Sequence, residues 1–173
     1  MQAPKFWYRS RSWQAVLLSP FGALYALASA RRQKNARPVQ VGVPVMCIGN
    51  LNVGGTGKTP TTIAIAQLLT ARGIEVHIVS RGYGGSLTAV TQVDPRRHTA
   101  DETGDEPLLM AAFVPTWVAN ERVAGARAAA AEGADIILLD DGFQDPSLFK
   151  DVSIVIVDAA RGFGNGRCLP AGP

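Results

Sequence analysis

A chain of 173 residues, 47% apolar and 18% charged, is long enough for one α/β domain with a real core and too apolar to be disordered. Its formal charge of +3 conceals a division: residues 1–38 carry seven basic and no acidic side chains, the remainder ten basic and fourteen acidic. Two distant cysteines, Cys47 and Cys168, exclude a disulfide framework and a cysteine metal cluster, and fit a reducing compartment.

The basic N-terminal segment calls for an anionic partner. The residues between its charges, among them Trp13, Val16, Leu17, Leu18, Phe21, Leu24, Tyr25 and Leu27, favour a membrane surface over nucleic acid. A signal peptide does not fit, because the basic region is long and no cleavage site follows it. Three arrangements of residues 13–30 remain: a bilayer span, a helix docked on the protein's own body, and two short helices lying in the interface. Ser19-Pro20 favours the last, with Ser as N-cap and Pro at the first helical position. Trp7, Tyr8, Trp13 and Tyr25 would then sit at headgroup depth. Residues 1–38 are therefore read as a membrane-associating helical segment, meeting the surface through residues 1–35.

From residue 43 the pattern becomes α/β. Residues 43–49 read as a buried strand, 51–58 as a Gly-rich loop, and 59–71 as a helix stopped by Gly73. Residues 74–80 are a second strand, followed by the loop Arg81-Gly82-Tyr83-Gly84-Gly85 and a strand near 87–93. Thr103-Gly104-Asp105-Glu106 has capping-box spacing and predicts a helix to Phe113. A short strand over 115–119, a helix from the Asn120 cap through Glu132, and strands over 135–140 and 152–158 complete the pattern. This alternation predicts a P-loop NTPase-like, doubly wound, mostly parallel sheet over residues 39–173. The Gly- and Pro-rich ending has no closing helix, so a further C-terminal portion is expected.

The chemistry centres on Gly54-Gly55-Thr56-Gly57-Lys58-Thr59, placed after a strand and before a helix. In that context the backbone N–H groups of Val53, Gly54, Gly55, Thr56 and Gly57 cradle phosphate oxygens of ATP, helped by the positive helix end. Lys58 reaches the β- and γ-phosphates and the Thr59 hydroxyl coordinates Mg2+. Asn52 stands where the general pattern has Gly; Asn tolerates left-handed backbone better than most residues. The run Ile136–Leu139 ending in Asp140-Asp141 reads as a strand that delivers carboxylates to bound metal, with Asp140 the better-placed ligand. Asp105-Glu106 at a predicted helix start suits either a carboxylate beside the phosphoryl acceptor or ordinary helix-dipole complementarity, and the residues leave both open. His77, His98 and Arg81 receive no role from their surroundings in sequence.

Taken in order, Gly49-Asn50, the Gly-rich loop with Pro60, Ser80-Arg81-Gly82-Tyr83-Gly84, Gly104-Asp105-Glu106-Pro107, Asp140-Asp141-Gly142-Phe143-Gln144 and the closing Leu-Pro-Ala-Gly-Pro resemble the tetraacyldisaccharide 4'-kinase family. The resemblance implies transfer of the γ-phosphate of ATP to the 4'-hydroxyl of an acylated glucosamine disaccharide at the cytoplasmic face of the bacterial inner membrane. It implies that Asp105 is the catalytic base working with Lys58, that Thr59, Glu106, Asp140 and Asp141 serve Mg2+, and that Gln144 lies near the nucleotide. It also implies a second lobe beyond Pro173, supplying a His that pairs with the base. Two other functions fit the Gly-rich loop: an ATPase switch of the partition type, which usually has Lys where this chain has Val53, and a non-catalytic nucleotide-binding module.

Overall fold

Apolar runs too short for helices become strands, and the longer ones between Gly-rich turns become helices. The computed structural model describes residues 4–9, 11–52 and 57–173. Its strands are β1 (Val45–Gly49), β2 (Val76–Ser80), β3 (Thr91–Gln92), β4 (Thr116–Val118), β5 (Ile136–Asp140) and β6 (Val152–Val155). Its helices are α1 (Trp13–Lys34), α2 (Lys58–Thr70), α3 (Ala100–Thr103), α4 (Asp105–Met110) and α5 (Arg122–Ala131), with a 3-10 turn at Lys5–Tyr8. By contacts the chain forms two compact units. One comprises Met1–Arg37, Asn50–Gly57 and Val155–Pro173; the other comprises Pro38–Gly49 and Lys58–Ile154.

The larger unit is built on a sheet of order β3-β4-β2-β5-β1-β6. The pairs β1–β5, β2–β5 and β2–β4 are parallel, and β3 runs antiparallel against β4. The expected mostly parallel sheet is thus present. The connection from β1 to β2 steps one way across the sheet and that from β4 to β5 steps back. With right-handed crossovers, α2 and α5 therefore cover opposite faces. The register sorts the side chains accordingly, since paired residues in adjacent strands share a face. Val45, Cys47, Val79, Trp117, Ile137 and Leu139 form a core with Ala126 and Ala129 of α5. Ile48, Ile78, Leu138, Ser80 and Asp140 lie on the other face by register. There α2 buries only small side chains, Thr59, Thr62 and Ala66. Cys47 is fully buried, as an apolar filler would be. His77 is also a core residue: Trp117 Nε1 donates to its Nδ1 at 3.2 Å and the rings stack.

The smaller unit inverts the usual order of burial. Along α1 the buried residues are small, Ala15 and Gly22, whereas Trp13, Val16, Leu17, Phe21, Leu24 and Leu27 are each more than 60% exposed. The tail packs on the small-residue side: a Cβ at Gly22 would lie 2.9 Å from the carbonyl oxygen of Cys168. Arg167 donates to the Ser19 hydroxyl. Trp7 Nε1 donates to the Pro170 carbonyl at 3.0 Å, and Arg161 lies 5.7 Å over the Tyr8 ring. Trp7 and Tyr8 are thus half-buried within this unit.

Several expected elements differ, each for a local reason. The Ser19-Pro20 break does not occur, and α1 runs unbroken through Pro20. Ser19 does not cap a new helix; its hydroxyl donates back to the Ala15 carbonyl at 2.7 Å, the in-helix alternative open to serine. The capping box lies one turn earlier than expected, between Thr99 and Glu102. Thr103 is fully buried and its hydroxyl is turned to the Thr99 and Gly104 carbonyls, so it cannot cap. The strand expected near 87–93 shrinks to Thr91–Gln92, because the N–H groups of Ser86 and Leu87 bond the carbonyls of Asp101 and Glu102 instead of a strand. Asn120 is not the cap of α5: the ladder still continues through Ala119 N–H to Ser80, and Glu121 takes the cap position.

Candidate functional site

The parallel strands end on one edge of the sheet, with Gly49, Ser80 and Asp140 as their last residues. Ligands of open α/β sheets bind outside such carboxyl ends. Lys58, the first residue of α2, reaches this edge, and its Nζ lies 3.4 Å from Asp141 Oδ2. Thr59 is buried beside it on the first turn of α2. Gly57, immediately before, has φ +82. Val53, Gly54, Gly55 and Thr56, expected to line the phosphate cradle, lie outside the described residues.

Asp140 is 3% exposed and takes a 3.3 Å hydrogen bond from the Ser80 hydroxyl on Oδ2, while its Oδ1 is buried without a partner among the described residues. Burial pushes its carboxyl up to about 6; the charges of Glu106 and Asp141 add to the rise, and Lys58 and Ser80 oppose it. Asp141 also keeps one buried oxygen, Oδ1, without a partner among the described residues. Its backbone is left-handed at φ 55, a conformation that costs a residue with a Cβ and persists only when its surroundings hold it. Asp141 N–H donates to the Ile48 carbonyl at 2.9 Å. From the other side, Arg122 Nη2 donates to the Asp141 carbonyl at 2.5 Å. The same guanidinium, 5% exposed, pairs through Nη1 with Asp145 Oδ2 at 2.9 Å. Burial alone would raise the Asp145 carboxyl, but bonds from the Ser147 hydroxyl and N–H, together with Arg122, hold it at about 2.

Asp105 and Glu106 open α4 and are both exposed. Their position is set by backbone contact. The Arg81–Gly85 loop lies against the α3–α4 junction, where a Cβ on Gly104 (φ +88) would meet the Tyr83 carbonyl at 2.7 Å. A Cβ on Gly85 would meet the Glu102 carbonyl at 2.5 Å. The charge of Glu106 is felt at Asp140, but among the described residues no group of three or more His, Cys, Asp or Glu side chains is close enough together to hold a metal. Gln144 is exposed in the turn after Gly142.

The structure thus brings Lys58, Asp140 and Asp141 together and adds three residues that received no role from sequence alone: Ser80, Arg122 and Asp145. Ser80 is hidden in an apolar strand. Asp145 follows directly on the Asp-Asp-Gly-Phe-Gln block, and the Arg that opens an alanine-rich helix was the available signal for Arg122.

The profile of the tetraacyldisaccharide-1-P 4'-kinase family (LpxK) matches residues 14–173. A tetraacyldisaccharide 4'-kinase from Dinoroseobacter shibae is 61% identical over the whole chain, and one from Jannaschia sp. is 58% identical. The chain spans about half the length of the curated relatives it matches, 52% and 53% of these two. The crystal structure of the "apo" form of LpxK from Aquifex aeolicus in complex with ATP superposes with a TM-score of 0.77 at 32% identity, covering 91% of this chain and 53% of that one. With the family profile matching nearly its full length and its fold superposing on a solved member, the chain belongs to the tetraacyldisaccharide-1-P 4'-kinase family.

Proposed function

We propose that this chain is the nucleotide-binding part of a kinase that transfers the γ-phosphate of ATP to the 4'-hydroxyl of a tetraacyldisaccharide 1-phosphate, a step of lipid A biosynthesis. The observation that carries the reading is the pairing of Lys58 with Asp141 beside two buried carboxylate oxygens, on Asp140 and Asp141, that have no partner among the described residues. Buried oxygens left open in this way suit a hard divalent cation, which takes oxygen ligands and keeps several for water and phosphate. Among the described residues there is no compact three-carboxylate cluster, and Mg2+ does not need one: it is usually held by one or two carboxylates plus substrate phosphates.

In this reading the N–H groups of residues 53–57 and the Lys58 ammonium bind the phosphates. Asp140, Asp141 and the Thr59 hydroxyl hold Mg2+, with Glu106 at the edge of that set; the ion would neutralise charge on the transferring phosphoryl group. Asp105, exposed at the start of α4, accepts the proton of the attacking 4'-hydroxyl, and Gln144 lies by the nucleotide. The outward apolar side of α1 supports docking on the membrane that holds the acylated substrate. Arg31, Arg32 and Lys34 in its last turn would meet lipid phosphates at the cytoplasmic face of the inner membrane. By length and composition α1 could also span a bilayer. Nucleic acid is not a partner in this reading.

The test is incubation of the protein with γ-labelled ATP, Mg2+ and the tetraacyl disaccharide in mixed micelles. Label on the lipid supports the kinase. Phosphate release without lipid label supports a switch ATPase, and nucleotide binding with neither supports a binding module.

A further inference from the structure

The Asp140-Asp141 turn holds a conformation that its own residues do not favour. Asp141 is the one described residue other than glycine at positive φ, and the carbonyl that follows that strained φ is gripped by Arg122. Arg122 comes from α5, on the opposite side of the sheet from α2 and Lys58. Its guanidinium is nearly inaccessible, and its second arm ends on Asp145, four residues beyond the turn it grips. Asp145 is in turn fixed by the Ser147 hydroxyl and N–H, and its carbonyl receives the Lys150 ammonium at 2.5 Å. The Asp141–Asp145 segment is thus tied at both ends to a single planar group, which presents its donors in a fixed fork.

We propose that Arg122 and Asp145 are a positioning pair: they clamp the left-handed Asp141 turn from behind, so that the open oxygens of Asp140 and Asp141 are held ready for Mg2+ before nucleotide arrives. Neither member is assigned contact with nucleotide or metal; both act through the Asp141 main chain. The inference deepens the nucleotide-site reading and rests on it. Its physical content is pre-organisation: ligands held within a fraction of an ångström bind a small octahedral cation more tightly than the same ligands on a loose turn.

The test measures binding of a non-hydrolysable ATP analogue by calorimetry, across a Mg2+ titration and in its absence, with the melting temperature recorded for each protein. The variants are Arg122→Met, Arg122→Lys and Asp145→Asn. The clamp predicts that the Mg2+ concentration for half-maximal enhancement of binding rises about tenfold or more in Arg122→Met. A smaller rise is expected in Asp145→Asn and in Arg122→Lys, and metal-free binding should stay within about twofold of the parent. A purely structural pair would lower the melting temperature and weaken both kinds of binding in parallel, and that result overturns the proposal. So does an unchanged Mg2+ dependence in a folded variant, or failure of all three variants to fold. If the parent protein shows no Mg2+-dependent binding while folded, the nucleotide-site reading itself fails, a result distinct from loss of the clamp alone.

Discussion

The sheet of the larger unit and helix α1 of the smaller one use apolar residues in opposite ways. In β2 and β5 the large side chains are inside: Val76, Ile78, Val79, Ile137, Leu138 and Leu139 are at most 1% exposed. In α1 the small residues are inside, and the large ones face outward. Both segments read as hydrophobic, so composition alone does not separate them. What separates them is which residue sizes are spent on internal contact. A buried Leu contributes about 1.5–3 kcal/mol through removal from water, so leaving a row of them exposed forgoes much stability unless a second apolar phase covers them.

The contrast is broken most directly by paired truncations. Ile137→Ala in β5 is expected to cost about 2–5 kcal/mol in urea unfolding, whereas Leu24→Ala in α1 should change stability by no more than about 0.5 kcal/mol. Comparable losses at the two sites would show that α1 is packed like a core helix. A second effect sharpens the sheet side. Asp140 is raised from 3.8 to about 6, so its ionised form is a cost in the native state. That cost is full above pH 6, shrinks as pH falls through 6, and vanishes below 3.8, where both states are protonated. Asp140→Asn should therefore stabilise the protein by up to about 3 kcal/mol at pH 7 or above, with the gain fading towards pH 4, while Mg2+-dependent nucleotide binding is lost. Thermal melting across pH checks the sign; a destabilised variant at pH 8 would contradict it.

On the α1 side, Gly22→Leu pushes a side chain into the Cys168 carbonyl. It should cost about 1–3 kcal/mol and speed hydrogen exchange over residues 165–173, leaving β1, β2 and β5 protected. The smallest effect on stability, about 0.5 kcal/mol per site or less, is expected for Leu17→Ser, Phe21→Ser and Leu24→Ser combined. The same triple variant should bind anionic lipid vesicles at least tenfold more weakly in co-sedimentation. Retained vesicle binding would assign docking to another surface.

Residues that act through sequence-local rules were legible. Apolar runs marked β1, β2 and β5 to within two residues, and Lys58, Asp140 and Asp141 follow from strand ends and a Gly-rich loop. What escaped depends on choices between equivalent local partners. Thr99 and Thr103 both precede an acidic residue at capping spacing, and only the burial of Thr103 decides between them. Ser19 can cap or bond back, and the tail against Gly22 accompanies a helix that stays whole. Arg122 and Asp145 are 23 residues apart and meet only because α5 returns beneath the β5 edge, a relation no local pattern encodes.

The glycine loop from Arg81 to Gly85 meets the residue before Asp105 main chain to main chain, with no side chain between. Most spacings in a protein can drift during evolution, because one methylene may be traded for another across the gap. Here there is nothing to trade: any added atom at Gly85 or Gly104 displaces peptide groups on both sides. The reach of the carboxylates that open α4 is thereby insulated from repacking elsewhere.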